Sequence, residues 1–184
     1  MKTQEKGLIL SRVPYSESSW VIKCFTQGHG LKSFLVQGGK KKYASLIQAM
    51  VPVAFNFVQR HEDQLARLYD AHLINDISEI RFNPIKSSVV FFEAEILSQC
   101  LHDGQIDAHL FAFLENEINW LNKESFQSNY LIYWLIELSS YLGFKPHASS
   151  PNSSYFDLEQ GEILDHSTSA EQCESGPQIQ LLSQ

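Results

Sequence analysis

The chain has 184 residues, 43% of them apolar, and a formal charge of −7. That much apolar material can bury a core, which excludes wholesale disorder, and the length suits one domain or two modest ones. The total charge opposes a polyanionic partner, but its distribution does not. Up to Met50 eight bases, Lys2, Lys6, Arg12, Lys23, Lys32, Lys40, Lys41 and Lys42, stand against Glu5 and Glu17 alone, whereas the remainder carries six bases and nineteen acids. A cationic head on an acidic body gathers an attractive field at one end. Acidic helices that are only solvated surfaces produce the same asymmetry.

Residues 7–13 alternate Leu8 and Leu10 against Ile9 and Val13 and form a first strand with Arg12 near its end. Turn formers follow, from Pro14 and Tyr15 to Ser19. Residues 20–26 make a second strand with Trp20, Ile22 and Cys24 on one face and Val21, Lys23 and Phe25 on the other. Residues 31–37 make a third, in which Lys32, Phe34 and Val36 share a face. The turn Gln27-Gly28-His29-Gly30 joins these two as a hairpin, closed by Gly38-Gly39 and three lysines. Residues 42–50 are short and weakly helical. Residues 51–58, with Pro52 near the start as an edge or first-residue proline, and residues 64–74, with Leu65, Arg67 and Tyr69 on one face, complete five strands. Five strands with a helical piece after the third is the order of an OB-fold, a partly open barrel that binds single strands.

At Arg81-Phe82-Asn83-Pro84 the period changes. Asn83 caps a helix with Pro84 in its first turn, and Val89, Phe92, Glu93, Ile96, Leu97 and Cys100 recur at helical spacing until Asp103-Gly104. A second helix over residues 108–121 buries Leu110, Phe113, Leu114, Ile118 and Leu121 and turns Glu115 and Glu117 to water. Ser125 caps a third over residues 126–142; its centre, residues 130–136, is apolar nearly all round, as in the middle of a bundle. Gly143 takes a left-handed C-terminal position and Pro146 prevents continuation. Residues 147–176 are a polar region with one short hairpin around Tyr155 to Leu164, and residues 178–184 begin a helix. The fold class is α+β: a five-stranded OB-fold barrel over residues 1–80, then an all-α domain over residues 81–184.

Single-strand binding needs cations for phosphates and flat side chains for bases. The candidates are Arg12, Lys23, Lys32, Lys40, Lys41 and Lys42 for phosphates and Tyr15, Trp20 and Phe34 for stacking. Each aromatic taken singly reads more readily as barrel core. Five or six cations on phosphates predict a log-log salt slope of roughly −4. Other chemistry is poorly served. Cys24, Cys100 and Cys173 are widely spaced, which indicates a reducing, cytoplasmic setting. His147, His166 and Cys173 with Asp157 and Asp165 lack the close ligand pairs of a zinc site, so no metal is expected. No nucleophile elbow, P-loop or zinc-protease motif is present; Gly38-Gly39-Lys40 lacks P-loop spacing, and Glu93 and Glu95 fall on different helix faces. Neither an enzyme nor a cofactor is indicated. Lys2, Gln4, Glu5 and Lys6 interrupt any apolar start, so no signal peptide is expected. The apolar run over residues 130–136 is far short of the ~20 residues of a membrane span.

Lys6-Gly7-Leu8-Ile9-Leu10, Tyr15-Ser16-Glu17-Ser18, Val21-Ile22, Phe25-Thr26, His29-Gly30 and the basic run after Gly38-Gly39 together resemble the amino-terminal domain of the RecO family of recombination mediators. Tyr141-Leu142-Gly143-Phe144-Lys145-Pro146 and Tyr155-Phe156-Asp157 resemble the segment after that family's central helices. The resemblance implies a non-catalytic DNA repair protein that binds single- and double-stranded DNA, anneals strands, contacts the acidic tail of single-strand-binding protein, and acts with RecR to help load RecA. It implies DNA contact through the basic hairpin and docking of the acidic tail on the helical body, for which Arg81 and Lys86 are the cations at hand. Two departures stand out: many members of the family carry a four-cysteine zinc module of which only Cys173 is present here, and members continue into further carboxy-terminal helices whereas this sequence stops at Gln184, so the helical part is expected to be incomplete. The rival readings are a protein-interaction adaptor whose barrel meets acidic peptides, and a small hydrolase with a metal in the tail.

Overall fold

A computed structural model describes residues 2–38, 42–61, 64–148, 150, 153–167, 173–176 and 179. Five strands, β1 (Lys2–Pro14), β2 (Trp20–Thr26), β3 (Gly30–Val36), β4 (Pro52–Val58) and β5 (Ala66–Leu73), close a barrel in the order β1-β2-β3-β5-β4. Every pairing is antiparallel except β3 with β5, where Phe34, Leu35 and Val36 face Ala66, Arg67 and Leu68. β1 is long enough to pair with two neighbours, its first half with β4 and its second with β2, and a bulge between Ile9 and Ser11 turns it from one to the other.

Alternation fills the barrel as the period of two requires. Ile22, Cys24, Phe34, Val36, Phe55, Phe57 and Leu68 point inward and are buried. Phe34 meets the rings of Phe55 and Phe57 edge-on, with centroids 5.1 and 5.3 Å away. Burial, with Glu5 nearby, pushes the Cys24 thiol far up, so it stays protonated and inert.

β1 begins five residues earlier than the apolar pattern indicates, at Lys2. The reason is Glu5, an inward-facing carboxylate that is 7% exposed. One oxygen accepts the amides of Lys6 (2.9 Å) and Gly28 (3.2 Å), and the other meets His29 Nδ1. A charge so partnered can occupy a core position that apolar counting assigns to a side chain such as leucine.

The weakly helical reading of residues 42–50 holds at Lys42 alone and is corrected for residues 43–50. This connection is a series of turns, Leu46 and Ile47 both donating to the Tyr43 carbonyl at 3.0 Å, and it buries Tyr43, Ile47 and Met50. Met50 has φ of 55°, which no helix tolerates.

Three helices belong with the barrel: α1 (Ser78–Phe82), α2 (Pro84–Cys100) and α3 (Ala108–Lys123). Asn83 caps α2, its side chain accepting from the amides of Ile85 and Lys86, with Pro84 in the first turn. The buried stripe of α2 is Lys86, Val89, Val90, Glu93, Ala94 and Leu97, so Phe92, which the spacing placed among the repeating residues, is instead 39% exposed. α2 packs on β1 and covers its outer side. α3 covers the outer side of β2, where Phe25 lies 5.9 Å from Phe111. Outward-facing Leu10 and Phe25 are therefore buried as well. The link between α2 and α3 reaches the hairpin turn: Gly104 donates to Leu31 O at 2.9 Å, and Gly30, at φ +64°, packs so closely that a Cβ would lie 2.2 Å from Gln105 O. Only glycine suits that position.

The chain divides into two compact units, Met1–Ser128 and Asn129–Gln184. The second holds α4 (Tyr130–Tyr141) and a small sheet of β6 (His147–Ala148), β7 (Tyr155–Asp157), β8 (Glu162–Leu164) and β9 (Cys173–Ser175) in the order β6-β8-β7-β9. α4 is shorter than the 126–142 reading and no side chain caps it. Its all-round apolar sequence does not give all-round burial: Tyr130, Trp134 and Leu138 are buried at i, i+4 and i+8, while Ile132 and Tyr133 are 60% and 50% exposed. Gly143 takes the left-handed conformation, φ 83°, and the expected hairpin is β7 with β8. Of the helix read over residues 178–184, only residue 179 is described.

Candidate nucleic-acid interface

Two groups combine cations and aromatics, one at the β1–β2 end of the barrel and one on its outer face. At the β1–β2 end, Arg12 lays its guanidinium over Trp20, 4.6 Å from the ring centroid, and donates through Nη1 to Ile47 O at 2.8 Å. The stack and the bond hold a long side chain in one pose, so less entropy is lost when it takes up a phosphate. Tyr15 lies on the adjoining turn, 65% exposed. That turn is fixed by Tyr15 N donating to Ser19 O at 3.0 Å and Ser19 N to Ser16 Oγ at 3.2 Å.

The second group spans β3, β5 and the connection after β3. Lys42 Nζ lies 4.8 Å from the Tyr43 ring, and a hydrogen bond with the Tyr43 side chain, helped by its charge and that of Asp70, holds the ammonium pKa above its usual value. Tyr43 is itself fixed, its hydroxyl accepting Asp70 N at 3.0 Å. Arg67, exposed on β5, shares with Lys42, Tyr43 and Tyr69 a shallow cavity of about 260 Å³.

Strand register runs an outward row up to the second group. Val13 faces Val21, Val21 faces Leu35, and Leu35 faces Arg67. Three interstrand steps of about 4.8 Å make an outward row roughly 14 Å long from Val13 to Arg67, whereas Arg12, opposite inward-facing Ile22, emerges from the other face of β1. A charged chain laid along this row finds apolar side chains leading to the cations Arg67 and Lys42 at one end.

The sequence matches two family models along almost its whole length, recombination protein O N terminal over residues 1–77 and recombination protein O C terminal over residues 81–179. The chain belongs to the RecO family. It is 29% identical over 166 residues to the DNA repair protein RecO of Flavobacterium psychrophilum, covering 88% of this chain and 70% of that one. With the RecO proteins of Christiangramia forsetii and Bacteroides fragilis it shares 27% and 28% over 188 residues, covering 99% and 96% of this chain and 78% and 77% of theirs. The barrel followed by helices agrees with that assignment.

Against this RecO frame the residues singled out from sequence separate clearly. Arg12, Trp20, Tyr15 and Lys42 belong to the two groups. Lys32 lies apart from them, its Nζ 2.8 Å from Gln59 Oε1 and over the Phe57 ring, and Lys23 donates to Ser98 O of α2 at 3.1 Å. Lys40 and Lys41 lie outside the described residues. Phe34 is corrected: its ring is fully buried, so no base can stack on it. Lys86 is corrected too, being 4% exposed and donating to Glu124 O at 2.8 Å, which makes it a tie between helices and not a docking cation. Arg81 is half-buried and bonds the Ser45 carbonyl.

Arg67 is the residue the sequence reading placed without assigning. The signal was present, a cation between Leu65 and Tyr69 on an outward face. In the tail, Asp157 accepts the amides of Glu159 and Gln160 and Asp165 accepts the hydroxyls of Ser150 and Ser153; among the described residues no three metal-binding side chains converge. No helix among the described residues is long and apolar enough to cross a membrane.

Proposed function

We propose that this RecO-family chain is a DNA-binding recombination mediator of the cytoplasm, one that binds and anneals single strands and, with RecR, helps RecA replace single-strand-binding protein. The observation that carries the reading is the pair of exposed cations Arg67 and Lys42 at the end of an outward apolar row, with Arg12 stacked on Trp20 at the β1–β2 end, on an otherwise acidic molecule. Such an arrangement neutralises a phosphate chain without reading its sequence, which is what strand annealing requires. Bringing strands together calls for no bond to be made or broken, so the role is binding and not turnover. The acidic tail of single-strand-binding protein is the natural second partner, because a mediator must act on strands that are already coated.

Annealing of complementary oligonucleotides tests this reading. The chain is expected to accelerate annealing of naked strands and of strands coated with single-strand-binding protein, and to lose the second activity alone when that protein's acidic tail is removed. Naked strands that anneal no faster than they do unaided would contradict it.

A further inference from the structure

Beside Arg12 the barrel and α2 enclose a cavity of about 240 Å³ that the phosphate row does not use. Ile9 and Ala94, both buried, form its floor, and Phe91, 62% exposed although apolar, stands at its side. Its polar groups are Arg12, Gln48 and Glu95. Gln99 Nε2 donates to Glu95 Oε1 at 2.8 Å, which orients the carboxylate and leaves Oε2 open. Arg12 has five N–H donors, and its bond to Ile47 uses one side of the fork.

We propose that this cavity receives one unstacked nucleobase of a bound single strand, with Phe91 as its stacking surface, Glu95 as the acceptor for its amino group, and Arg12 on the adjoining phosphate. The inference rests on the DNA-binding reading and adds a base site to it. Three features select a base over other small occupants. The volume suits a single flat ring system and is below that of most drug-sized sites. An exposed aromatic on a rigid helix, next to a guanidinium already stacked on Trp20, is the combination that bases stack on. The one carboxylate at the mouth would repel a phosphate but accepts from adenine N6, cytosine N4 or guanine N2, and thymine offers no such amino group. Adenine- and cytosine-rich strands should therefore bind more tightly than thymine-rich ones.

The test is fluorescence anisotropy with the full chain, using oligo-dA, oligo-dC, oligo-dT and an abasic strand of equal length. Phe91→Ala is expected to weaken binding of oligo-dA and oligo-dC by roughly 5- to 150-fold, the range of one lost stack. It should leave the abasic strand and the salt slope unchanged, since no charge is removed. Phe91→Tyr should restore binding, and Glu95→Gln should narrow the preference for oligo-dA and oligo-dC over oligo-dT. Because Phe91 is largely exposed, its truncation leaves the core intact, which circular dichroism verifies. Equal binding of oligo-dA by Phe91→Ala and the parent, or an equal loss on the abasic strand, would overturn the base site while the phosphate row stands. A parent chain that binds none of the four strands would overturn both.

Discussion

Replacing Lys42 and Arg67 together by glutamine is expected to reduce single-strand affinity roughly 25-fold at 0.1 M salt while leaving the fold unchanged. The size follows from ion release. Each phosphate contact adds about 0.7 to the log-log salt slope on single strands, so two lost contacts flatten it by roughly 1.4, which at tenfold below 1 M salt is about 25-fold. Both side chains are exposed, and surface changes of this kind usually stay within about 0.5 kcal/mol of the parent stability. Lys42→Arg with Arg67→Lys keeps the charges and should keep the slope. Charge reversal to glutamate should abolish annealing. If the barrel were only a scaffold for an acidic peptide partner, annealing would survive reversal, and that result would favour the adaptor reading.

Phe34→Ala is expected to destabilise the chain by about 3 to 5 kcal/mol, because it empties a fully buried site held by two neighbouring phenylalanines. Phe34→Leu, which refills most of the volume, should recover much of that loss and bind DNA like the parent. Tyr15→Ala makes the contrast, since removing a ring that is 65% exposed should barely change the unfolding midpoint and should weaken strand binding. Urea unfolding and anisotropy separate the two effects. A folded Phe34→Ala chain of parental stability with lost DNA binding would return Phe34 to the stacking role.

These two residues mark the boundary of what the sequence makes legible. Alternation places strands because inward positions must be apolar, and β2 was found residue for residue on that basis. The same rule cannot tell which apolar face lies inside a barrel and which is covered by a helix. Phe34 and Phe25 are both buried for different reasons, one in the core and one under Phe111. The rule also fails where charge replaces an apolar side chain. Glu5 fills a core position through His29 and two amides, which concealed the start of β1. Lys86 falls seven residues before Glu93 on the stripe that α2 buries, so helical spacing could have identified it as internal. Arg67 called for knowledge of register, because its nearness to Lys42 arises from the parallel pairing of β3 with β5, distant in sequence.

The structure also alters the count of available cations. Lys23 and Lys32 bond within the protein, whereas Arg67 joins Arg12 and Lys42, and Lys40 and Lys41 belong to the same basic run. Five contacts at about 0.7 each give an expected slope near −3.5. The direct test is the affinity of the unmodified chain for one oligonucleotide measured across a series of salt concentrations. A log-log slope of roughly −3.5 is the predicted result; a flat line would contradict the claim that this barrel holds DNA by its phosphates.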